Sequence, residues 1–385
     1  MIREIITERI PIKLWLRELE DGALQQAKDL ANLAIAYNHI AIMPDSHQGY
    51  GMPIGGILAT KNAVVPNAVG VDIGCGMCSL RTNLVDIDRN DLKMILSEIR
   101  TTIPVGFKHH SSKQNDIWMP PLHDELPIVI QEFESATYQV GTLGGGNHFI
   151  EIQRGSDGFI WIMIHSGSRN IGYTVAGHYH KLAIEETTKR DYGSVPRDLS
   201  YFTHESPNFE LYLKEMEYCM AFALNNRKLM MERVKEAFTN VLSNVEFSNF
   251  INKPHNFAAY ETHFNEVLIV HRKGATRAQK GEWGMIPGSQ GTKSYLVTGR
   301  GNPDSFNSCS HGAGRVMSRA KARKTLDLKA EMSRLQKMGV IHALRNKNDL
   351  DEAPSSYKDI EEVMALQQDL VEIKIELTPL AVIKG

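Results

Sequence analysis

The stretch FIWIMIHSGSRNIG, residues 159–172, makes the first decision about the fold. Its apolar run at 159–164 is short and rich in β-branched and aromatic residues, so it reads as a buried strand. His165 then falls at the strand end, with Ser166, Ser168 and Arg169 in the turn that follows. Working outward, HIAIM (39–43), HFIEI (148–152), EVLIV (266–270) and SYLVTG (294–299) are similar runs bounded by Gly, Pro or Asn, and they read as further strands. Helical spacing is clearest over 208–242, where Leu211, Met216, Met220, Leu224, Met231, Val234 and Phe238 recur on one face. Its methionines read as core packing. Other helical stretches fit 23–36, 87–99, 315–337 and 357–370. Strands and helices mixed without a regular βα repeat predict an α+β fold.

The chain has 385 residues, 42% of them hydrophobic and 23% charged, which suits a globular protein with an ample core. No linker or repeat divides it. The charged start MIREIITERIPIK is unlike a secretion signal, and no apolar run is long enough for a membrane span, so a cytoplasmic protein is expected. With 43 basic and 45 acidic residues the net charge is −2, and any surface for nucleic acid has to be local. HRKGATRAQK (271–280) and RVMSRAKARK (315–324) could supply it, although such runs are often plain solvated faces. Four cysteines, Cys75, Cys78, Cys219 and Cys309, are too few to staple a chain of this length and point to a reducing compartment.

Three segments carry candidate chemistry. In NAVGVDIGCGMCSLRTN (67–83) the glycines disfavour a helix and let Asp72 and Cys75 face one point. The Cys75–Cys78 spacing would also suit a redox pair or half a zinc ribbon, but no second C-x-x-C completes four ligands. TLGGGNHFIEI (142–152) is a glycine run turning into a strand at Asn147 and His148, where close backbone approach to an anion is possible. His148, His165, Asp72 and Cys75 at comparable positions suggest a shared metal site, with His255 or His263 of PHNFAAYETH (254–263) adding an imidazole from a loop-to-helix setting. Thiolate, imidazole and carboxylate together favour a transition metal over magnesium, leaving zinc, manganese and iron open. In SCSHGAGRVMSR (308–319), small residues leave His311 unshielded beside exposed backbone N–H groups, and Arg315 could grip a phosphate. Such a histidine could be a nucleophile that forms a phosphoramidate with a nucleotide. P-loop, H-E-x-x-H, G-x-S-x-G and K-x-D-G patterns are all absent.

Eight ordered segments now resemble the RtcB family of GTP-dependent RNA ligases. They are MPDSHQGYGMPIGG (43–56), VGVDIGCGM (69–77), GTLGGGNHFIEI (141–152), HSGSR (165–169), RKGAT (272–276), IPGSQGTKS (286–294), SCSHGAGRVMSR (308–319) and the terminal VIKG. The resemblance implies a single compact α+β domain over 1–385, with layered β-sheets and peripheral helices around a metal-containing cleft. It implies two manganese ions held by Asp72, Cys75, His148, His165 and His255, the last preferred to His263 because of the His-Asn pair. It implies a guanylylated His311 oriented by Asp45. Contacts to GTP fall on Asn147, Glu151, Ser289, Ala313, Gly314, Tyr357 and Lys384, and phosphate contacts on Arg169 and Arg315. The implied reaction joins an RNA 2′,3′-cyclic phosphate or 3′-phosphate end to a 5′-hydroxyl end, in tRNA splicing or RNA repair. In some members an accessory protein of the archease type assists. A phosphoesterase that opens cyclic phosphates without ligating, and a non-catalytic RNA-binding paralogue, are the alternative readings. Cys78 lies outside the expected motif, as a small buried thiol or as a perturbation of the metal site.

Overall fold

A computed structural model describes residues 1–189 and 195–385. The chain builds two main sheets. The larger contains β6 (Gly76–Thr82), β7 (Phe149–Gly155), β8 (Ile160–Ser166), β10 (Phe247–Pro254), β14 (Trp283–Ile286), β15 (Ser294–Gly299) and β17 (Val371–Lys384), in the order β10-β6-β8-β7-β17-β15-β14 and antiparallel throughout. The smaller contains β1 (Arg3–Ile5), β2 (Ile12–Leu14), β3 (Ala36–His47), β4 (Ile54–Thr60), β11 (Asn256–His263) and β12 (Glu266–Lys273), in the order β1-β2-β3-β4-β12-β11. Two-stranded pairs β5 (Ala63–Val64) with β9 (Phe202–Thr203), and β13 (Ala275–Arg277) with β16 (Ser308–Ser310), complete the strands.

Every residue of β8 is buried, as its unbroken apolar run requires. Alternation then sends Ile162 and Ile164 to one core with Ile150 and Ile152, covered by helices α2 (Arg89–Thr102) and α5 (Pro207–Val241). Trp161 and Met163 face the opposite core with Met77, Phe149 and Val382, and His165 shares their side of the strand. In the smaller sheet, Ile40, Ile42 and Leu58 pack on α1 (Asp21–Ala31), while Ala41, Met43 and Ile57 meet Tyr295 and Val297 of the larger sheet. The mixed layered architecture is as expected. Among the described residues no helix is long and apolar enough to cross a membrane.

Several boundaries differ from the sequence reading. The 315–337 stretch is two helices, α6 (Arg319–Thr325) and α7 (Leu328–Lys337), because Ser318 and Asp327 each cap a fresh start, accepting from the N–H of Lys321 and of Ala330. The 23–36 stretch stops at Ala31 so that β3 can begin at Ala36, and 357–370 shrinks to α8 (Ile360–Ala365). His255 and His263 sit at the end of an extended segment and in strand β11, because Asn256–His263 pairs along its whole length with β12. Arg169 opens helix α4 (Arg169–Lys189), which the sequence reading left as a turn. Helix α3 (Pro127–Thr137) and strand β17 were also missed.

Candidate active site

Four adjacent strands of the larger sheet deliver the sulfur and imidazole groups to one place. Register pairs Pro254 with Gly76, Gly76 with Ser166, and Phe149 with His165. Cys75, His148 and His255 each lie one residue outside those strand ends and His165 one residue inside, so their side chains meet. Cys75 Sγ is 3.3 Å from His148 Nε2 and 3.2 Å from His165 Nε2. His148 Nε2 lies 3.0 Å from Asp72 Oδ2, and His165 Nε2 lies 3.3 Å from His255 Nε2. Ligand atoms of Cys75, His148 and His165 all lie within 4.8 Å of one another, a grouping of thiol and imidazoles that could hold a metal ion, with Asp72 and His255 each beside one member. His165 Nδ1 donates to Asn147 O at 3.2 Å, which leaves its Nε2 lone pair facing the cluster.

The sequence reading did not find what supports these donors. Asn226 and Arg227 of α5, both fully buried, tie the donor loops together. Arg227 Nη1 donates to Gly74 O and to Ser166 O, both at 2.9 Å. Asn226 accepts from the N–H of Gly141 and Thr142 and donates to Gly167 O. Burial holds the His165 and His255 imidazoles well below their ordinary pKa, keeping them neutral, and burial with the Asp72 charge raises the Cys75 thiol. Cys78 points the other way, into the isoleucine core near Arg227 O. All four cysteines are unpaired and buried.

His311 adjoins this cluster, its ring 4.8 Å from that of His255. Asp45, fully buried on β3, accepts from His311 Nδ1 at 2.7 Å and from the N–H of His311 and Gly312 at 3.1 and 3.2 Å. Two of the N–H groups expected to face a ligand are therefore committed to Asp45. Nδ1–H bonded to a carboxylate leaves the lone pair on Nε2. Burial alone would raise the Asp45 pKa, yet the hydrogen bond and charge of His311 bring it below the usual range. Gly314 must be glycine here: its φ is +74°, and a Cβ would stand 2.0 Å from Asp45 O.

These groups line a cleft of about 740 Å³, together with Asn147, Glu151, Ser289, Ala313, Gly314, Arg315, Tyr357 and Lys384. Glu352, which the sequence reading passed over, organises one wall. It accepts from Lys384 Nζ at 2.6 Å and Tyr357 Oη at 2.5 Å, with Arg315 at 3.4 Å and Arg319 at 4.0 Å. Burial works against the Glu352 charge, but Lys384 and Tyr357 outweigh it and lower the pKa. Glu151 has no such cation in contact, and burial pushes it up to about 8. Asp45, His148 and Arg169 stand behind the lining. Arg169 donates to Gly106 O and Thr142 Oγ1, and Arg315 to Asp351 O and Met317 O, so both are engaged by the protein itself. Arg319 is the half-exposed guanidinium at this wall.

The family described as tRNA-splicing ligase RtcB matches residues 26–123 and 122–385. The chain belongs to the RtcB family. It is 39% identical over 409 residues to RNA-splicing ligase RtcB1 of Escherichia coli strain ATCC 25922, covering 99% of both chains. To RNA-splicing ligase RtcB of Escherichia coli K12 it is 38% identical, again over 99% of each. The tRNA-splicing ligase RtcB of Nanoarchaeum equitans is 34% identical, over 97% of this chain and 94% of that protein. The donor cluster and His311 fall within the two matched segments.

Proposed function

We propose that the protein is a GTP- and manganese-dependent RNA ligase, acting as one domain over 1–385 in the reducing cytoplasm, with the bond made through a guanylylated His311. The observation that carries this reading is a histidine with its Nδ1 held by a buried carboxylate and its ring 4.8 Å from one of the clustered imidazoles. Two manganese ions would be held by Asp72, Cys75, His148, His165 and His255. Bound there, they would supply Lewis-acid stabilisation of charge on phosphoryl oxygens.

The chain's own groups account for the rest. His311 Nε2 attacks the α-phosphorus of GTP, the bond to the β-phosphate oxygen breaks, and pyrophosphate leaves. Asp45 keeps the Nδ1 proton and offsets the positive charge on the phosphoramidate ring. Glu151, Asn147, Ser289, Tyr357 and Lys384 hold the nucleotide, with Ala313 and Gly314 allowing close approach. A 2′,3′-cyclic phosphate end is opened by water to a 3′-phosphate. An oxygen of that 3′-phosphate displaces His311 from the guanylyl phosphorus. The 5′-hydroxyl of the second strand then attacks the 3′-phosphorus, and GMP departs as the strand is sealed. Arg169 and Arg315 would hold RNA or nucleotide phosphates, and the half-exposed Arg319 beside Glu352 adds positive charge there.

Incubation with GTP labelled at the α-phosphate and manganese, followed by denaturing electrophoresis, tests the reading. Label is expected on the wild-type chain and absent from His311→Ala. Folded, metal-loaded wild type that takes up no label would overturn it in favour of a phosphoesterase.

A further inference from the structure

One aromatic side chain of the cleft touches almost nothing, yet it is mounted on a fixed backbone. Tyr50 is 79% exposed and lines the cleft. Its own carbonyl accepts from Lys273 Nζ at 2.5 Å and from Met52 N at 2.8 Å. The preceding Gly49 exchanges two hydrogen bonds with the Gln26 side chain, at 3.1 and 2.7 Å. Lys273 also reaches Asn67 O at 3.0 Å, so one buried ammonium joins the loop carrying Tyr50 to the segment that leads to Asp72. Val71, half-exposed in the same cleft, immediately precedes Asp72.

An exposed tyrosine would ordinarily be mobile, and ordering it on a ligand would cost entropy. Here the backbone is already fixed, so only two side-chain torsions remain to be ordered. The cleft offers a flat aromatic face, a half-exposed valine next to Asp72, and an ammonium on the Tyr50 carbonyl that has no carboxylate within 4 Å among the described residues. That combination suits a base with its phosphate attached: stacking for the ring and positive potential for the backbone. Neither Tyr50 nor Val71 belongs to the group around Glu352, which the nucleotide would occupy, so the two walls can be filled together.

We propose that Tyr50 is the platform on which the terminal nucleobase of the 3′-phosphate RNA strand stacks, setting that strand's end against the donor cluster beside Asp72. The inference rests on the RNA-ligase reading and adds the residue that seats one substrate strand. Because every base has a π face, this platform accepts any terminal base and leaves sequence choice relaxed.

The test is equilibrium binding, by fluorescence anisotropy, of a labelled single-stranded RNA with a 3′-phosphate and of the same strand lacking its terminal base. Wild type, Tyr50→Ala and Tyr50→Trp are compared, each with its unfolding midpoint measured. For wild type, loss of the base is expected to weaken binding about 5- to 150-fold. Tyr50→Ala should weaken the intact strand by a similar factor and cease to distinguish the two strands, while Tyr50→Trp restores both properties. Tyr50→Ala that still distinguishes them overturns the platform, as does failure of a folded Tyr50→Trp to rescue. Wild type that takes up guanylyl label but binds both strands equally overturns the platform and spares the ligase reading. Wild type that neither takes up label nor binds RNA removes both.

Discussion

The donor cluster and the Glu352 wall occupy the same cleft, but their charges are balanced in opposite ways. Around Glu352 the protein supplies its own counter-charges: a carboxylate meets Lys384, Arg315 and a tyrosine hydroxyl, with Arg319 close by. The cluster at Cys75 has three imidazoles, a thiol and a carboxylate whose coordinating atoms crowd within about 3.3 Å of their neighbours. Lone pairs held that close repel unless a proton or a cation lies between them. One wall is therefore balanced as folded, whereas the other gathers donor atoms that could hold a positive ion. Buried charge alone does not reveal a ligand site; the sign left unbalanced does.

Substitutions can break this contrast. The largest effect is expected from Cys75→Ala, which should lose bound metal and all guanylyl transfer, whereas His311→Ala loses the transfer and keeps the metal. Elemental analysis beside the labelling assay reads both. Equal metal loss in the two variants would sink the division of roles. Next in size is Glu352→Gln, which leaves Lys384 buried without its carboxylate and should cost about 3–5 kcal/mol in folding stability, with weaker GTP binding. Adding Lys384→Met should recover most of the stability and none of the GTP affinity, as urea unfolding and nucleotide titration would register. Unchanged stability in Glu352→Gln would mean that the wall is not self-balanced.

A smaller effect concerns pH. His271 is fully buried, accepts from Val65 N at 3.0 Å, and burial lowers its pKa to about 4. Its neutral form is thus the folded form. That contribution is present above about pH 6.5 and is lost as pH falls toward 4, with a slope near 1.4 kcal/mol per pH unit. His39 behaves alike, its pKa also lowered by burial to about 4. Unfolding midpoints measured from pH 7 to 4 should fall, and His271→Asn should flatten the profile. The smallest effect is Cys78→Ala: a modest loss of stability, about 1–2 kcal/mol, with metal content and labelling intact. Loss of metal there would bring Cys78 into the site.

Much of this was readable from residue order because the site residues sit at punctuation. Gly144 with φ +88°, packed against His148 and Arg169, and the apolar run ending at His165 announce a strand end where polar groups emerge. Other parts left no local trace. Glu352 lies in DEAPSSY, which reads as an acidic loop until Lys384 pairs with it across the fold. Asn226 and Arg227 are hidden in a methionine-rich helix whose spacing predicts only packing. Strand β17 lacks a single pattern, being exposed at Glu372–Lys374 and buried from Ala381, because its two halves pair with β15 and β7. Its meaning is fixed by neighbours distant in sequence.

That strand has a kinetic consequence. β17 joins β7 to β15, pairing Lys384 with Phe149, and the Asp45–His311 bond spans 266 positions. Contacts of such range form late, since long loops must close before they are rewarded. The catalytic surface should therefore mature in the last folding phase. Stopped-flow refolding followed by metal uptake is expected to show uptake trailing the recovery of helical signal.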